Sequence, residues 1–152
     1  MPQTGYEPDM SKKPQADEAQ RTDLESVARQ WISLWCAPVD WDLFERLHAD
    51  DFEDCSSAGR PTSKQGFAQG IAEFVHAFPD LRTRVDDLVI DTAAKRVAVR
   101  WSASGINLSR YLGTGPTRRL TRITGIEIIE IRRGRIMRRW GEWDISAHTG
   151  HV

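Results

Sequence analysis

The chain has 152 residues, 28% of them charged, and its 21 Lys/Arg and 22 Asp/Glu leave a formal net charge of −1. That length suits one domain able to bury its own core, and the near-zero charge argues against a protein dedicated to nucleic acid or to a membrane surface. No apolar run reaches membrane-spanning length, no N-terminal apolar segment reads as a leader, and Cys36 and Cys55 lack paired spacing, so the expectation is a reduced, cytoplasmic protein rather than a disulfide scaffold.

Residues 1–18 (MPQTGYEPDMSKKPQADE) are rich in Pro, Gln and charge, with scarcely an apolar side chain. Such a composition predicts a disordered N-terminal segment, with residues 19–152 forming the single domain. From about Asp17 a helical period sets in, with Leu24, Val27, Ala28, Trp31, Leu34 and Trp35 on one side and a stop near Pro38. Asp40 caps a short second helix carrying Leu43, Phe44 and Leu47. Ser63 opens a third, KQGFAQGIAEFVHAF, which turns Phe67, Ile71, Phe74, Val75 and Phe78 inward and ends at Pro79. Beyond Pro79 the pattern changes to β-branched alternation in RTRVDDLVI, RVAVRWSASG, RLTRITGIEIIEI and RIMRRWGEWDI, separated by turn material. Helices first and strands after predict an α+β fold. The expected form is a cone-shaped α+β barrel, three N-terminal helices packed on a curved antiparallel sheet with a cavity at the open end.

Glu127 stands out in GIEIIEI, mid-strand among isoleucines. Burying a carboxylate costs several kcal/mol unless it is paired. Either this face meets solvent or an arginine on the next strand neutralises it, or Glu127 is a pocket acid/base whose pKa is raised by apolar walls. Glu142 and Asp144 are two apart and share one face of the last strand beside Trp140, with Trp143 on the other. A β-bulge near Gly141 would reverse which set faces inward, and the sequence leaves both parities open. The histidines (His48, His76, His148, His151) lack metal-ligand company, so no metal site is expected. There is no P-loop, GxGxxG, GxSxG or CxxC, and Cys55 has no identifiable base partner. The arginines of 118–139 lack interleaved exposed aromatics, which favours solvated strand faces or a subunit contact over nucleic acid.

Four blocks, FPDLRTRVDDLV (78–89), YLGTGPTRRL (111–120), GIEIIEI (125–131) and GRIMRRW (134–140), resemble in order and spacing the SnoaL-like polyketide cyclase family of the nuclear transport factor 2-like superfamily. The resemblance covers about residues 20–146. It implies the same cone and work on hydrophobic small molecules without metal or organic cofactor. Reactions across the family include aldol cyclisation, isomerisation and epoxide opening, and some members of the superfamily only bind ligands or partners. Family members carry an Asp directly after the tryptophan matching Trp140, the acid/base of the cyclases, where this chain has Gly141. Cys55 and Asn107 stand where the family often has His, while an acidic residue is kept at Glu127.

The expected function is therefore a cofactor-independent acid/base enzyme that cyclises or isomerises a hydrophobic natural-product intermediate. Loss of the family Asp favours isomerisation or epoxide opening over the aldol step. Glu127 would be the acid/base, with Glu142 or Asp144 as a second carboxyl. Asn107 would bind a substrate oxygen, Trp35, Trp101 and Trp143 would form apolar walls, and Cys55 would sit at the binding position. The alternative is a non-catalytic binding or partner protein using the same cone. The arginine-rich 118–139 and the acidic first half predict a homodimer or higher homo-oligomer closed through the outer sheet face.

Overall fold

The computed structural model describes residues 12–144. Three helices, α1 (Lys12–Ser33), α2 (Trp41–Leu47) and α3 (Lys64–Ala77), pack on five strands, β1 (His48–Asp54), β2 (Arg82–Asp91), β3 (Arg96–Ile106), β4 (Leu120–Arg132) and β5 (Arg135–Asp144). The α+β class and the three-helix, four-strand reading hold. Among the described residues no helix is long and apolar enough to cross a membrane.

Two details differ from expectation. The first helix begins at Lys12, inside the stretch read as disordered. Pro14 falls in its first turn, where a missing N–H has no intrahelical partner to lose, and residues 15–19 remain exposed along its side. The rest of the expected disordered segment, residues 1–11, lies outside the described residues. The second difference is β1, which makes the sheet mixed rather than wholly antiparallel. Its order is β1-β5-β4-β3-β2, with β1 parallel to β5 and the other pairs antiparallel.

The caps match their sequence signals. The Asp40 side chain accepts from Leu43 N–H and the Ser63 side chain from Gly66 N–H, each satisfying a donor that a helix start leaves open. The β4–β5 hairpin turns through Arg133 and Gly134, both at positive φ (53° and 74°), the backbone of a two-residue hairpin turn.

The helices cover one face of the sheet, and aromatic rings fill the space between. Trp31, Trp35, Trp101, Phe44, Phe74 and Phe78 are among the fully buried side chains. Trp35 meets Trp31, Trp101 and Trp143 with ring centroids 4.8, 5.2 and 6.0 Å apart. The narrow part of the cone is thus a packed core.

Candidate active site

One residue on β5 decides what faces inward. Across β4–β5, Glu130 pairs with Arg138 but Ile131 pairs with Ile136, so Met137 is an extra residue opposite none. This bulge reverses the alternation. Ile136 points into the core before it, and Arg139, Gly141 and Trp143 point inward after it. The parity that the sequence leaves open is set by a bulge at Met137 rather than near Gly141.

Arg139 is only 3% exposed, and its guanidinium lies over the Phe67 ring at 5.4 Å. It joins two buried carboxylates. Its Nε donates to Glu127 Oε2 at 2.8 Å and Nη2 to Glu127 Oε1 at 3.1 Å, a bidentate grip. Its Nη1 donates to Asp54 Oδ1 at 2.9 Å and to the Ser56 carbonyl at 3.2 Å. Glu127 also accepts from the indole N–H of Trp101 at 3.4 Å and of Trp143 at 2.5 Å. Burial, the largest influence, pushes the Glu127 carboxyl above its ordinary range against the pull of Arg139 and the two indoles. Burial works against charge on Arg139 too, but the facing Glu127 and Asp54 outweigh it and hold the guanidinium above its ordinary value.

The segment after β1 closes this cluster. Gly141 N–H donates to Ser56 Oγ at 3.0 Å, and Cys55 N–H donates to the Arg139 carbonyl at 2.9 Å. Asp54 Oδ2 is buried without a hydrogen-bond partner and lies 3.6 Å from Arg60 Nη2, and Arg60 Nε is likewise buried without one. Beside these groups opens a cavity of about 180 Å³ lined by Ser56, Arg60, Tyr111, Arg139, Gly141, Glu142 and Trp143, together with Ala58 and Leu112. Burial, the largest influence, pushes the Tyr111 phenol up to about 12, so it stays protonated at neutral pH.

The expected site residues separate into groups. Glu127, Trp101 and Trp143 come together, and Trp35 packs against both indoles in the layer beneath. An arginine on the next strand pairs with Glu127, and burial raises its pKa. Glu142 and Asp144 register with Ile126 and Thr124 and share their outward face, so they do not meet the Glu127 carboxyl. Asn107 is fully buried but ties down the loop after β3. Its Nδ2 donates to the carbonyl of Ser109 at 2.7 Å, and its Oδ1 accepts from Thr117 N–H at 2.7 Å. Cys55 is exposed and is not among the cavity residues.

Arg139, Asp54, Ser56, Arg60 and Tyr111 were not foreseen as site residues. One signal could have exposed Arg139: Glu127, if buried, required a cation on a neighbouring strand. No metal-binding group of three His, Cys, Asp or Glu residues occurs among the described residues.

Comparison with known proteins places these features in a family setting. The family model for SnoaL-like polyketide cyclases matches residues 25–149. TsrD from Streptomyces laurentii superposes with a TM-score of 0.75 at 18% identity, over 84% of this chain and 92% of that one. IdmH, a candidate polyketide cyclase from Streptomyces antibioticus, gives 0.69 at 22% identity, over 82% and 94%. AclR, a candidate hydroxylase from Streptomyces galilaeus, gives 0.73 at 16% identity, over 84% and 79%. At these identities the likeness shows the fold. No curated protein matches the chain in sequence.

Proposed function

The chain belongs to the SnoaL-like polyketide cyclase family, and from that premise we propose that it is a cofactor-independent acid/base catalyst that isomerises or cyclises a hydrophobic small molecule, such as a polyketide or related natural-product intermediate. The observation that carries this is the placement of the Glu127 carboxylate. It sits directly opposite Gly141, in the space that a side chain at the family's Asp position would occupy. The acid lost at one strand position is returned from its cross-strand neighbour.

Glu127 is the proton carrier. It takes a proton from carbon next to a carbonyl and returns it elsewhere, or gives one to an opening epoxide. A raised pKa suits both directions. Gly141 lines the cavity and sets no side chain of its own over the carboxylate. Arg139 steadies the ionised form, and Trp143 offers an apolar face to the ligand. A cavity of about 180 Å³ lies below the roughly 300–1,000 Å³ usual for ligand sites, so it suits one bicyclic ring system or the reacting end of a longer molecule.

A second reading, a binding or partner protein without catalysis, draws on two observations. Indoles fill the narrow end of the cone, and Glu127 already meets Arg139 and two indole donors. Hydrogen–deuterium exchange at the carbons flanking the carbonyl of 2-tetralone, followed by NMR, separates the two. Wild-type protein is expected to accelerate the exchange and Glu127→Gln to lose at least ~10²-fold of that acceleration. Exchange at the buffer rate across a panel of bicyclic and tricyclic ketones would leave the binding reading in its place.

The working unit in this proposal is a homodimer joined through the outer sheet face. A registered row of Val89, Ala98, Ile128 and Trp140 crosses four strands on that side, and Val89 and Ile128 are 64% and 39% exposed. Cys36 and Cys55 are both free thiols, which supports a reducing, cytoplasmic setting.

A further inference from the structure

Resting on that reading of the cavity, we propose that Arg60 anchors an anionic oxygen of the ligand, so that the site prefers carboxylate-, phenolate- or enolate-bearing molecules over their neutral counterparts.

The charges are layered. Asp54 and Glu127 are fully buried and are not among the cavity residues, whereas the two guanidiniums, Arg60 and Arg139, line the wall itself. Glu142 is the one carboxylate among the lining residues. A guest in the cavity therefore meets two guanidiniums and one carboxylate, with Asp54 and Glu127 behind the guanidiniums.

The two arginines are not equivalent. Arg139 is held by short bonds to Glu127 and Asp54, at 2.8 and 2.9 Å. Arg60 stands 3.6 Å from Asp54 Oδ2, its Nε is buried with no partner, and its side chain is 28% exposed. A purely structural arginine would be expected to complete its hydrogen bonds with protein groups, because buried donors are seldom left open. Arg60 has one long ion pair, to Asp54, and an Nε without a protein acceptor. Its Cζ lies 2.8 Å from where a Cβ on Gly70 would stand, so α3 carries no side chain at the point where the guanidinium rests. Ser56 adds a second polar contact at the wall. Its Oγ accepts from Gly141 N–H, which leaves the hydroxyl proton available to a guest. Held in this way, an oxygen whose charge grows as a neighbouring carbon loses its proton would be stabilised as the charge forms.

The test needs no turnover. Titration calorimetry compares 1-naphthoate with 1-naphthamide, which share shape and differ in charge. Wild type is expected to bind the carboxylate at least about tenfold more tightly, as a charge-assisted contact provides, and to lose that preference at high salt. Arg60→Gln abolishes the preference while leaving the amide affinity in place, and Arg60→Lys retains part of it. A readout on wild-type protein guards against a misfolded variant: the Arg60 Nε–H resonance moves on addition of naphthoate and not of naphthamide. Equal binding of the two ligands, a preference that survives in folded Arg60→Gln, or a silent Arg60 resonance would overturn the proposal. Naphthoate preference without tetralone exchange keeps the anchor and removes catalysis. Exchange without the preference removes the anchor alone.

Discussion

Glu127 and Gly141 face each other across β4 and β5, and the carboxylate of the first fills the space in which a side chain on the second would begin. A Cβ built on Gly141 overlaps Glu127 Oε2 and Arg139 Nη2. The glycine is thus required by the ion pair beside it. Gly141→Ala is expected to cost about 1–3 kcal/mol, the usual penalty for overpacking a rigid interior. Gly141→Asp should cost more, since it sets a second carboxylate against a buried one. Coupling Gly141→Asp to Glu127→Ala returns the acid to the family's position and should recover ~0.5–3 kcal/mol relative to additivity. Urea unfolding of the four proteins in this cycle checks it, and additive losses would show that the two positions do not share one space.

Outward placement predicts that Glu142→Gln and Asp144→Asn keep the exchange rate of wild type, whereas Glu127→Gln loses it. The Glu127 variant also loses stability. A glutamine amide nitrogen in place of Oε2 would face Arg139 Nε–H donor to donor, and disrupting a buried pair costs up to about 3–5 kcal/mol. Rates should be compared below the variant's melting temperature. A large loss in Glu142→Gln or Asp144→Asn would move the proton carrier to the outer face.

How much of this was legible in the sequence varied with the range of the interaction. The helices, their Asp40 and Ser63 caps and β2 to β5 follow from local pattern, because period and capping are written within a few residues. β1 does not. HADDFED alternates poorly, and its strand character comes from pairing with β5, far along the chain, with a register shift between His48 and Glu53. Arg139 was hidden by a single extra residue, Met137: without the bulge, simple alternation from Ile136 puts Trp140, Glu142 and Asp144 inside and Arg139 in water. Glu127 was legible because its strand neighbours are apolar. Its partners were not, since Asp54 ends β1, a strand with poor alternation, and Ser56 and Arg60 follow in a loop whose path no local pattern specifies.

The N-terminal boundary is open to a simple trial. Residues 15–19 are exposed although helical, and among the described side chains of α1 the first buried one is Leu24. A chain beginning at Ala19 should keep its melting temperature within a degree or two, as expected if the removed residues contribute no buried apolar contacts. A loss of several degrees would mean that the removed segment docks on the domain.

On the outer sheet face, the apolar row Val89–Ala98–Ile128–Trp140 runs beside the row Asp87–Arg100–Ile126–Glu142, which has an acid at each end and an arginine within. A two-fold axis through such a face lets Arg100 of one copy meet Glu142 of the other around shared isoleucines. Ile128→Glu is expected to give a monomer by sedimentation velocity, with the cavity side of the fold unchanged. Wild type that sediments as a monomer over a wide concentration range would rule the dimer out.

His48 gives the last prediction, and its sign follows from its bonding. It is fully buried among Phe44, Phe52 and Phe67. The Trp31 indole N–H donates to its Nε2 at 3.1 Å, so Nε2 must hold a lone pair, and the ring proton sits on Nδ1, which donates to the Phe44 carbonyl at 2.8 Å. Both ring nitrogens are satisfied only in the neutral form. Burial, the main cause, lowers the pKa from 6.5 to about 4. Between those values the unfolded chain binds a proton that the folded one refuses, so His48 favours the fold above pH 6.5 and that contribution drains away as the pH falls toward 4. The full span is worth roughly 3 kcal/mol, and about 2 kcal/mol of it should be gone by about pH 5. His48→Gln can accept from Trp31 and cannot titrate. Urea unfolding at neutral pH and near pH 5 should therefore show a smaller acid loss in the variant than in wild type, the difference being the histidine's share. Equal losses in the two proteins would assign the acid sensitivity to the carboxylates around Arg139 instead.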